Sequence, residues 1–251
     1  MNYRQLVWNK IDSDKRWIIL ESLFNNYYMQ QKDKSAKKIP KKIHQIWLGG
    51  ELPEKYIRLQ NTWKEIHPDW EYKLWTDKDV VDFDFITNKE IFNKIKNLGS
   101  KSDIFRYEIL YKYGGIYADT DFECVKSFDD FIYLDFFSGN GHVINPEIFN
   151  GLIGCVPKHK IIHQCLKNIR YNETNDFNKI ISNTGPQYFA NIIFSNIVNN
   201  MVIFPTKFFY PFPAEKRFEL RNESETSIRY SKSFNNEYTY AVHLWHTSWQ
   251  K

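Results

Sequence analysis

The chain has 251 residues, 42% hydrophobic and 25% charged, a make-up that fits one globular domain and excludes disordered and collagen-like classes. Its formal net charge of +4 favours an anionic partner only weakly, because much of the excess sits in one run, KDKSAKKIPKK (32–42), whose lysines are not interleaved with the aromatics of a nucleic-acid groove. The three cysteines, Cys124, Cys155 and Cys165, are odd in number and form no CxxC pair, which excludes a disulfide framework or structural zinc site and suits a reducing compartment.

The first residues, MNYRQLVWNKIDSDKRW, lack the apolar core of a signal peptide, and no run of about 18 apolar residues follows to span a membrane. The sequons at Asn172 and Asn222 are therefore read as coincidences. Trp17, Leu20, Phe24, Tyr27 and Tyr28 recur at helical spacing behind a capping residue, Ser13, so an amphipathic helix is expected over 13–30. The basic run reads first as a solvated linker and second as a contact for an anionic surface. Residues 1–38 are thus expected to be helix and linker, and 39–251 the functional domain.

KIHQIWLGG (42–50) is a short apolar run ended by two glycines, a buried strand and then a turn. PEKYIRLQNTWKEIHP predicts a helix starting at Pro53 and stopping before Pro68, and WEYKLW alternates as a strand. SDIFRYEILYKYGG predicts a helix from the cap Ser102 to Gly114, with GIYAD emerging from it as a buried strand. Strands at 135–139, 149–156 and 201–205 alternate with helices at 158–170 and 186–199, the latter with Thr184 as cap and Pro186 in its first turn. That alternation predicts an α/β sheet. The tail YAVHLWHTSW (240–249) is a strand running into a polar and aromatic cluster.

Asp119-Thr120-Asp121 lies beyond the end of a predicted strand. If the strand gives way to a turn there, two carboxylates at i and i+2 converge on one hard cation, Mg²⁺ or Mn²⁺, which can bridge a diphosphate leaving group. Alone, such a pair is an ordinary solvated turn; its context decides. Asp103 and Arg106 share one face of the preceding helix, and Gly114-Gly115 folds that helix back against the acidic strand. In the tail, His243, His246, Ser248 and Trp249 gather imidazoles that suit Mn²⁺ and a stacking ring. His159 and His163 in HKIIH lack the glutamate of a zincin and are expected to face solvent. LGSKS lacks the upstream glycine of a phosphate loop, and no G-x-S-x-G occurs, which excludes those ATPases and serine hydrolases. A glycoside hydrolase needs carboxyls about 5–9.5 Å apart across the scissile bond, not at i, i+2.

Taken together, IPKKIHQIWLGG, SDIFRYEILYKYGGIYADTD and HLWHTSW, over about residues 39–249, resemble the family 32 glycosyltransferases. That family includes yeast-type initiating mannosyltransferases, bacterial capsule and lipooligosaccharide sugar transferases and, more distantly, clostridial glucosylating toxins. The resemblance implies a GT-A (Rossmann-like) α/β fold with an N-terminal helical extension, a UDP- or GDP-sugar donor, Mn²⁺ or Mg²⁺, and retention at the anomeric carbon. It implies that Ile46 and Trp47 meet the base, Trp47 by stacking, and that Asp103 and Arg106 bind donor sugar hydroxyls near Ser102. Tyr117 and Asn150 would line the donor pocket, with Gly185-Pro186 also near donor or acceptor, and Ser248 and Trp249 would meet the phosphates. Asp119 and Asp121 would engage ribose and metal, with a tail histidine. Many relatives carry two adjacent histidines in the tail; this chain has His243-Leu244 and then His246, so both are candidates. The expected function is hexosyl transfer to a glycan, lipid-linked glycan or protein hydroxyl, with polysaccharide or glycolipid assembly first. The expected place is the cytoplasm, including the inner membrane face by peripheral contact, with no nucleic-acid partner. The alternative is a catalytically inactive module that binds nucleotide-sugars or carbohydrate.

Overall fold

A computed structural model describes residues 3–7, 14–212 and 237–246. Its strands are β1 (Lys42–Ile46), β2 (Glu71–Trp75), β3 (Gly115–Ala118), β4 (Phe122–Cys124), β5 (Phe136–Asn140), β6 (Ile148–Cys155), β7 (Met201–Phe204) and β8 (Ala241–His243). Six of them form one mixed sheet in the order β2-β1-β3-β6-β5-β7, while β4 and β8 pair as a separate ribbon. β2, β1 and β3 run parallel, which requires crossovers. Helix α2 (Glu54–Ile66) supplies the first; α3 (Asp77–Asp82), α4 (Lys89–Lys94) and α5 (Leu98–Tyr113) supply the second. β6 runs antiparallel to both β3 and β5, so β3 and β5 point the same way and end at the same edge of the sheet. The parallel pair β5 and β7 is bridged through α6 (Lys160–Asn168), α7 (Phe177–Asn183) and α8 (Pro186–Ser195). Every residue of β3, β5 and β7 is buried, as expected where helices cover both faces.

The N-terminal helix α1 (Lys15–Phe24) precedes this sheet and shares its core. Trp17, Leu20, Leu23 and Phe24 are buried, and the Phe24 ring packs 6.1 Å from Phe204 at the end of β7. The cap is Asp14, whose side chain accepts from the Arg16 N–H; Ser13 lies outside the described residues. Residues 30–38 are exposed and free of helix or strand, but the run does not hang loose. The Lys38 and Ile39 N–H groups donate to Ile132 O at 2.8 and 2.9 Å. Lys38, Lys41 and Lys42 pair with Asp135, Asp129 and Glu71 at 3.0, 3.0 and 2.6 Å. Three of the six lysines in the run are thus matched locally.

Helix α5 begins earlier than Ser102. Asn97 caps it by accepting from the Ser100 N–H at 3.0 Å, and the helix runs on through the buried Gly99, so Ser102 falls inside it. The helix ends at Gly114, φ 63°, and Gly115 follows at φ 89°. A Cβ at Gly114 would lie 2.6 Å from Pro157 Cδ, and one at Gly115 would lie 2.6 Å from the Lys42 carbonyl. Only glycine fits either position. Two further expectations change. Gly185, not Thr184, caps α8, with Pro186 in the first turn; Thr184 ends α7 and turns its hydroxyl inward. His159 is buried rather than solvent-facing: it caps α6 by accepting from the Ile161 N–H and stacks on Phe136 at 4.9 Å. His163 is exposed, as expected, against Tyr111.

Candidate functional site

At the end of β3 the chain leaves the sheet in a tight turn. The Asp119 N–H donates to Gly151 O on β6 at 2.8 Å, and the Phe122 N–H donates back to Asp119 O at 3.1 Å. Asp119 and Asp121 occupy the first and third positions of this turn, so their carboxylates converge instead of alternating as on a strand. The tail closes on them because β4 and β8 pair with Phe122 opposite His243. His243 Nε2 then lies 3.1 Å from Asp121 Oδ1, the Leu244 N–H donates to Asp121 O at 3.0 Å, and the His246 N–H donates to Asp121 Oδ2 at 2.8 Å.

One ligand atom from each of Asp119, Asp121 and His243 lies within 4.8 Å of the others. Two carboxylates and an imidazole form a donor set suited to Mn²⁺ or Mg²⁺. Electrostatics agree. Burial pushes the Asp121 carboxyl up, but the charge and hydrogen bond of His243, with His246, outweigh it and hold the group well below the usual carboxylate range. Asp119 is pushed up by burial, against the pull of Arg106 and with the added repulsion of Asp121. A divalent cation between the two would relieve that repulsion. His243 Nδ1 is buried without a hydrogen-bond partner among the described residues.

Behind the turn lies a buried polar network anchored on α5. Arg106 pairs with Asp103 Oδ1 at 3.1 Å and Asp119 Oδ1 at 3.2 Å, donates to Asn150 O at 2.6 Å, and lies 4.5 Å over the Tyr117 ring. The Tyr117 hydroxyl donates to Asp119 Oδ1 at 2.6 Å. The Asn150 amide donates to Asp103 Oδ1 at 2.8 Å and the Tyr107 hydroxyl oxygen at 3.0 Å, and the Thr184 hydroxyl donates to Asp103 Oδ2 at 2.9 Å. Burial pushes Asp103 up to about 6 despite Arg106, Thr184 and Asn150. Arg106 stays charged, because Asp119, Tyr117 and Asp103 more than offset its own burial.

Asp103, Arg106, Tyr117, Asp119, Asp121, Asn150 and His243 therefore meet in one place. Gly185 adjoins it, its Cβ position 3.4 Å from Asp103 Oδ2. Ile46 and Trp47 close β1 at the same edge. Ile46 is buried; the half-buried Trp47 donates its indole N–H to Glu51 O at 3.0 Å and packs 5.0 Å from Tyr56. His246, the other tail candidate, meets Asp121 through its backbone. Trp245 takes φ 57°, and the chain reverses so that the His246 N–H meets Asp121 while its ring packs 5.6 Å from Tyr56, outside the three-ligand cluster. Among the described residues no side-chain hydrogen bond ties Ser102 to the network; its carbonyl accepts from Arg106 Nε. Ser248 and Trp249 lie outside the described residues.

Sequence reasoning missed Tyr107, Gln45 and Gly151. No motif marks the first two as polar partners, but Gly151 sits beside Asn150 in FNGLIG, and its role is steric. A Cβ there would lie 2.7 Å from Asp119 Oδ2. Gly151→Ala is expected to displace that carboxylate and lower turnover by about 10- to 100-fold, since misplacement by about 1 Å costs that much. Its melting temperature should fall by only a few degrees; unchanged turnover would show that the Asp119 carboxylate tolerates being moved.

A family model described as "Glycosyltransferase sugar-binding region containing DXD motif" matches residues 53–137. Among curated proteins, "Inositol phosphoceramide mannosyltransferase 3" of Schizosaccharomyces pombe is 33% identical over 164 residues, 62% of this chain and 45% of that protein. "Uncharacterized glycosyltransferase L373" of Acanthamoeba polyphaga mimivirus is 30% identical over 187 residues, 69% of this chain and 73% of that protein. The chain spans about half the length of the fission-yeast mannosyltransferases it matches. Of solved structures, the catalytic domain of alpha-toxin from Clostridium novyi aligns with TM-score 0.51 at 11% identity, covering 80% of this chain and 84% of that one. PaToxG glycosyltransferase aligns with TM-score 0.50 at 18% identity, covering 74% and 80%. The shared architecture is the GT-A fold.

Proposed function

Since the chain belongs to the DXD-motif glycosyltransferases, we propose that it is a family 32 member that moves a hexosyl group from a UDP- or GDP-sugar to a hydroxyl, with retention of anomeric configuration. The observation that carries this reading is the convergence of Asp119, Asp121 and His243 beside the Asp103–Arg106 pair. A divalent cation held by Asp119, Asp121 and His243, Mn²⁺ or Mg²⁺, supplies charge neutralisation for the departing nucleoside diphosphate.

The chain's own residues bind and orient. Ile46 and Trp47 are assigned to the base, Asp103 and Arg106 to donor sugar hydroxyls, and Tyr117 and Asn150 to holding those groups in register. Ser248 and Trp249 are assigned to the phosphates and His246 to a supporting position behind Asp121. Each carboxylate of the network is already engaged: Asp121 by His243 and His246, Asp119 by Tyr117 and Arg106, Asp103 by Arg106, Thr184 and Asn150. That supports front-side displacement without a protein nucleophile. The acceptor oxygen bonds to the anomeric carbon as the bond to the diphosphate oxygen breaks on the same side, and the acceptor proton passes to a phosphate oxygen of the leaving group.

The names of the fungal relatives specify mannosyl transfer to inositol phosphoceramide, so GDP-mannose and a lipid-linked acceptor lead the candidates. Among the described residues no helix is long and apolar enough to cross a membrane; work at the cytoplasmic membrane face by peripheral contact is part of the proposal. The test is incubation with UDP-glucose, UDP-galactose, UDP-N-acetylglucosamine and GDP-mannose, with and without Mn²⁺. Metal-dependent release of UDP or GDP is expected from one of them. A donor that raises the melting temperature without any nucleotide release would instead identify an inactive nucleotide-sugar-binding module.

A further inference from the structure

The dipeptide His44-Gln45 on β1 is the part of KIHQIWLGG that the reading above leaves unused, and it brackets β3 from one end to the other. His44 and Tyr117 are register partners on the adjacent parallel strands β1 and β3. His44 is buried, and its Nε2–H donates to Gly114 O at 3.0 Å while its Nδ1 accepts from the Trp75 indole N–H at 3.2 Å. That pattern requires the neutral ring, and burial pushes its pKa down to about 4. The entry to β3 is thereby fixed. Gln45 does the same at the exit: fully buried, it donates from Nε2 to the carbonyl of Asp119 at 3.1 Å. Its Oε1 accepts from the Tyr72 hydroxyl at 2.5 Å, which sets the orientation of the amide.

The Asp119 carbonyl is the atom that closes the turn, since it also accepts the Phe122 N–H. A second donor on that oxygen holds the peptide plane from which both the Asp119 side chain and the Asp121 turn project. We infer that Gln45, oriented by Tyr72, is a positioning residue that locks the Asp119–Phe122 turn in the conformation that brings the two carboxylates together. Tyr72 is half-buried on β2, so the lock runs from near the sheet edge through β1 to the site. Partners that orient ligands from behind in this way are worth about 10- to 100-fold in metal affinity.

The metal half of this inference rests on the cation site proposed above; the turn half does not. Both are read on the whole chain in wild type, Gln45→Met, which keeps length and fills the space without hydrogen bonds, and Tyr72→Phe. Hydrogen exchange of the 119–122 amides is expected to quicken about tenfold in Gln45→Met and about threefold in Tyr72→Phe, with exchange in β5 and β7 unchanged. The Mn²⁺ dissociation constant, from paramagnetic resonance of free Mn²⁺, is expected to rise about tenfold in Gln45→Met. A residue that only fills space would lower the melting temperature and leave both quantities alone. Unchanged exchange over 119–122 in folded Gln45→Met overturns the inference; if that variant does not fold, unchanged exchange in Tyr72→Phe overturns it. Absence of Mn²⁺ binding in the wild type would count against the cation site, and the exchange result would still decide the role of Gln45.

Discussion

Asp121→Asn is expected to lower nucleotide-sugar turnover by at least about a thousandfold, because it removes a charged ligand from a site whose metal contributes several kcal/mol to leaving-group departure. Asparagine fills the same volume and can still accept the His246 N–H, so the turn and the β4–β8 ribbon should survive. What disappears is the negative charge that faces His243 at 3.1 Å. Release of UDP or GDP from the reactive donor, with a melting curve on the same sample, checks both halves; wild-type turnover in a folded Asp121→Asn protein would remove this carboxylate from the mechanism. A pH signature accompanies the loss. The folded carboxyl is held below its ordinary 3.8, so its contribution to stability is complete above that pH and fades as the pH falls further. Asp121→Asn should flatten the acid side of the stability profile.

Arg106→Met is expected to have the largest effect on stability. The guanidinium side chain is 6% exposed and is the only cation that contacts both Asp103 and Asp119 among the described residues. Removing one partner of such a buried pair leaves uncompensated charge, at a cost of about 3–5 kcal/mol. In a chain of this size that corresponds to a fall in melting temperature of roughly 10 °C. Asp103 is already pushed up to about 6, so the double variant Arg106→Met/Asp103→Asn should recover part of the loss. It should recover no activity, since the Arg106 contact to Asp119 remains absent. Urea denaturation at neutral pH measures the single and double changes; a loss below about 1 kcal/mol for Arg106→Met would show that water, not the network, satisfies these carboxylates.

These two variants act on residues that periodicity and chemistry already mark. The strand KIHQI, the helix opened by Pro53, the Gly114-Gly115 reversal and the buried strand GIYA all follow from local rules: spacing of apolar positions, missing N–H groups, and the left-handed backbone that only glycine takes at low cost. Where local rules failed, a competing residue stood nearby. Asn97 offered the start of α5 an earlier cap than Ser102, and the Thr184 hydroxyl, instead of capping α8, donates to Asp103 Oδ2. His159 was drawn into the core by its place at the head of an amphipathic helix whose Ile161, Ile162, Cys165 and Leu166 are buried. A cap is a choice among neighbours, and tertiary partners alter the choice.

An α/β alternation, a strand that ends at the acidic pair and residue types able to hold a cation were all legible in the chain, because each depends on interactions within a few residues. The sequence could not determine which tail histidine would reach Asp121. That rests on the pairing of Phe122 with His243 and on the left-handed Trp245, after which the His246 ring packs on Tyr56. Nor could it show that Gln45 holds the Asp119 carbonyl, or that Gly151 leaves room for its carboxylate. Those contacts join strands brought together by parallel crossovers and by a tail that returns from the far end of the chain. Their geometry exists only once the sheet order is set, and it is that order which turns the two aspartates of an ordinary turn into one site.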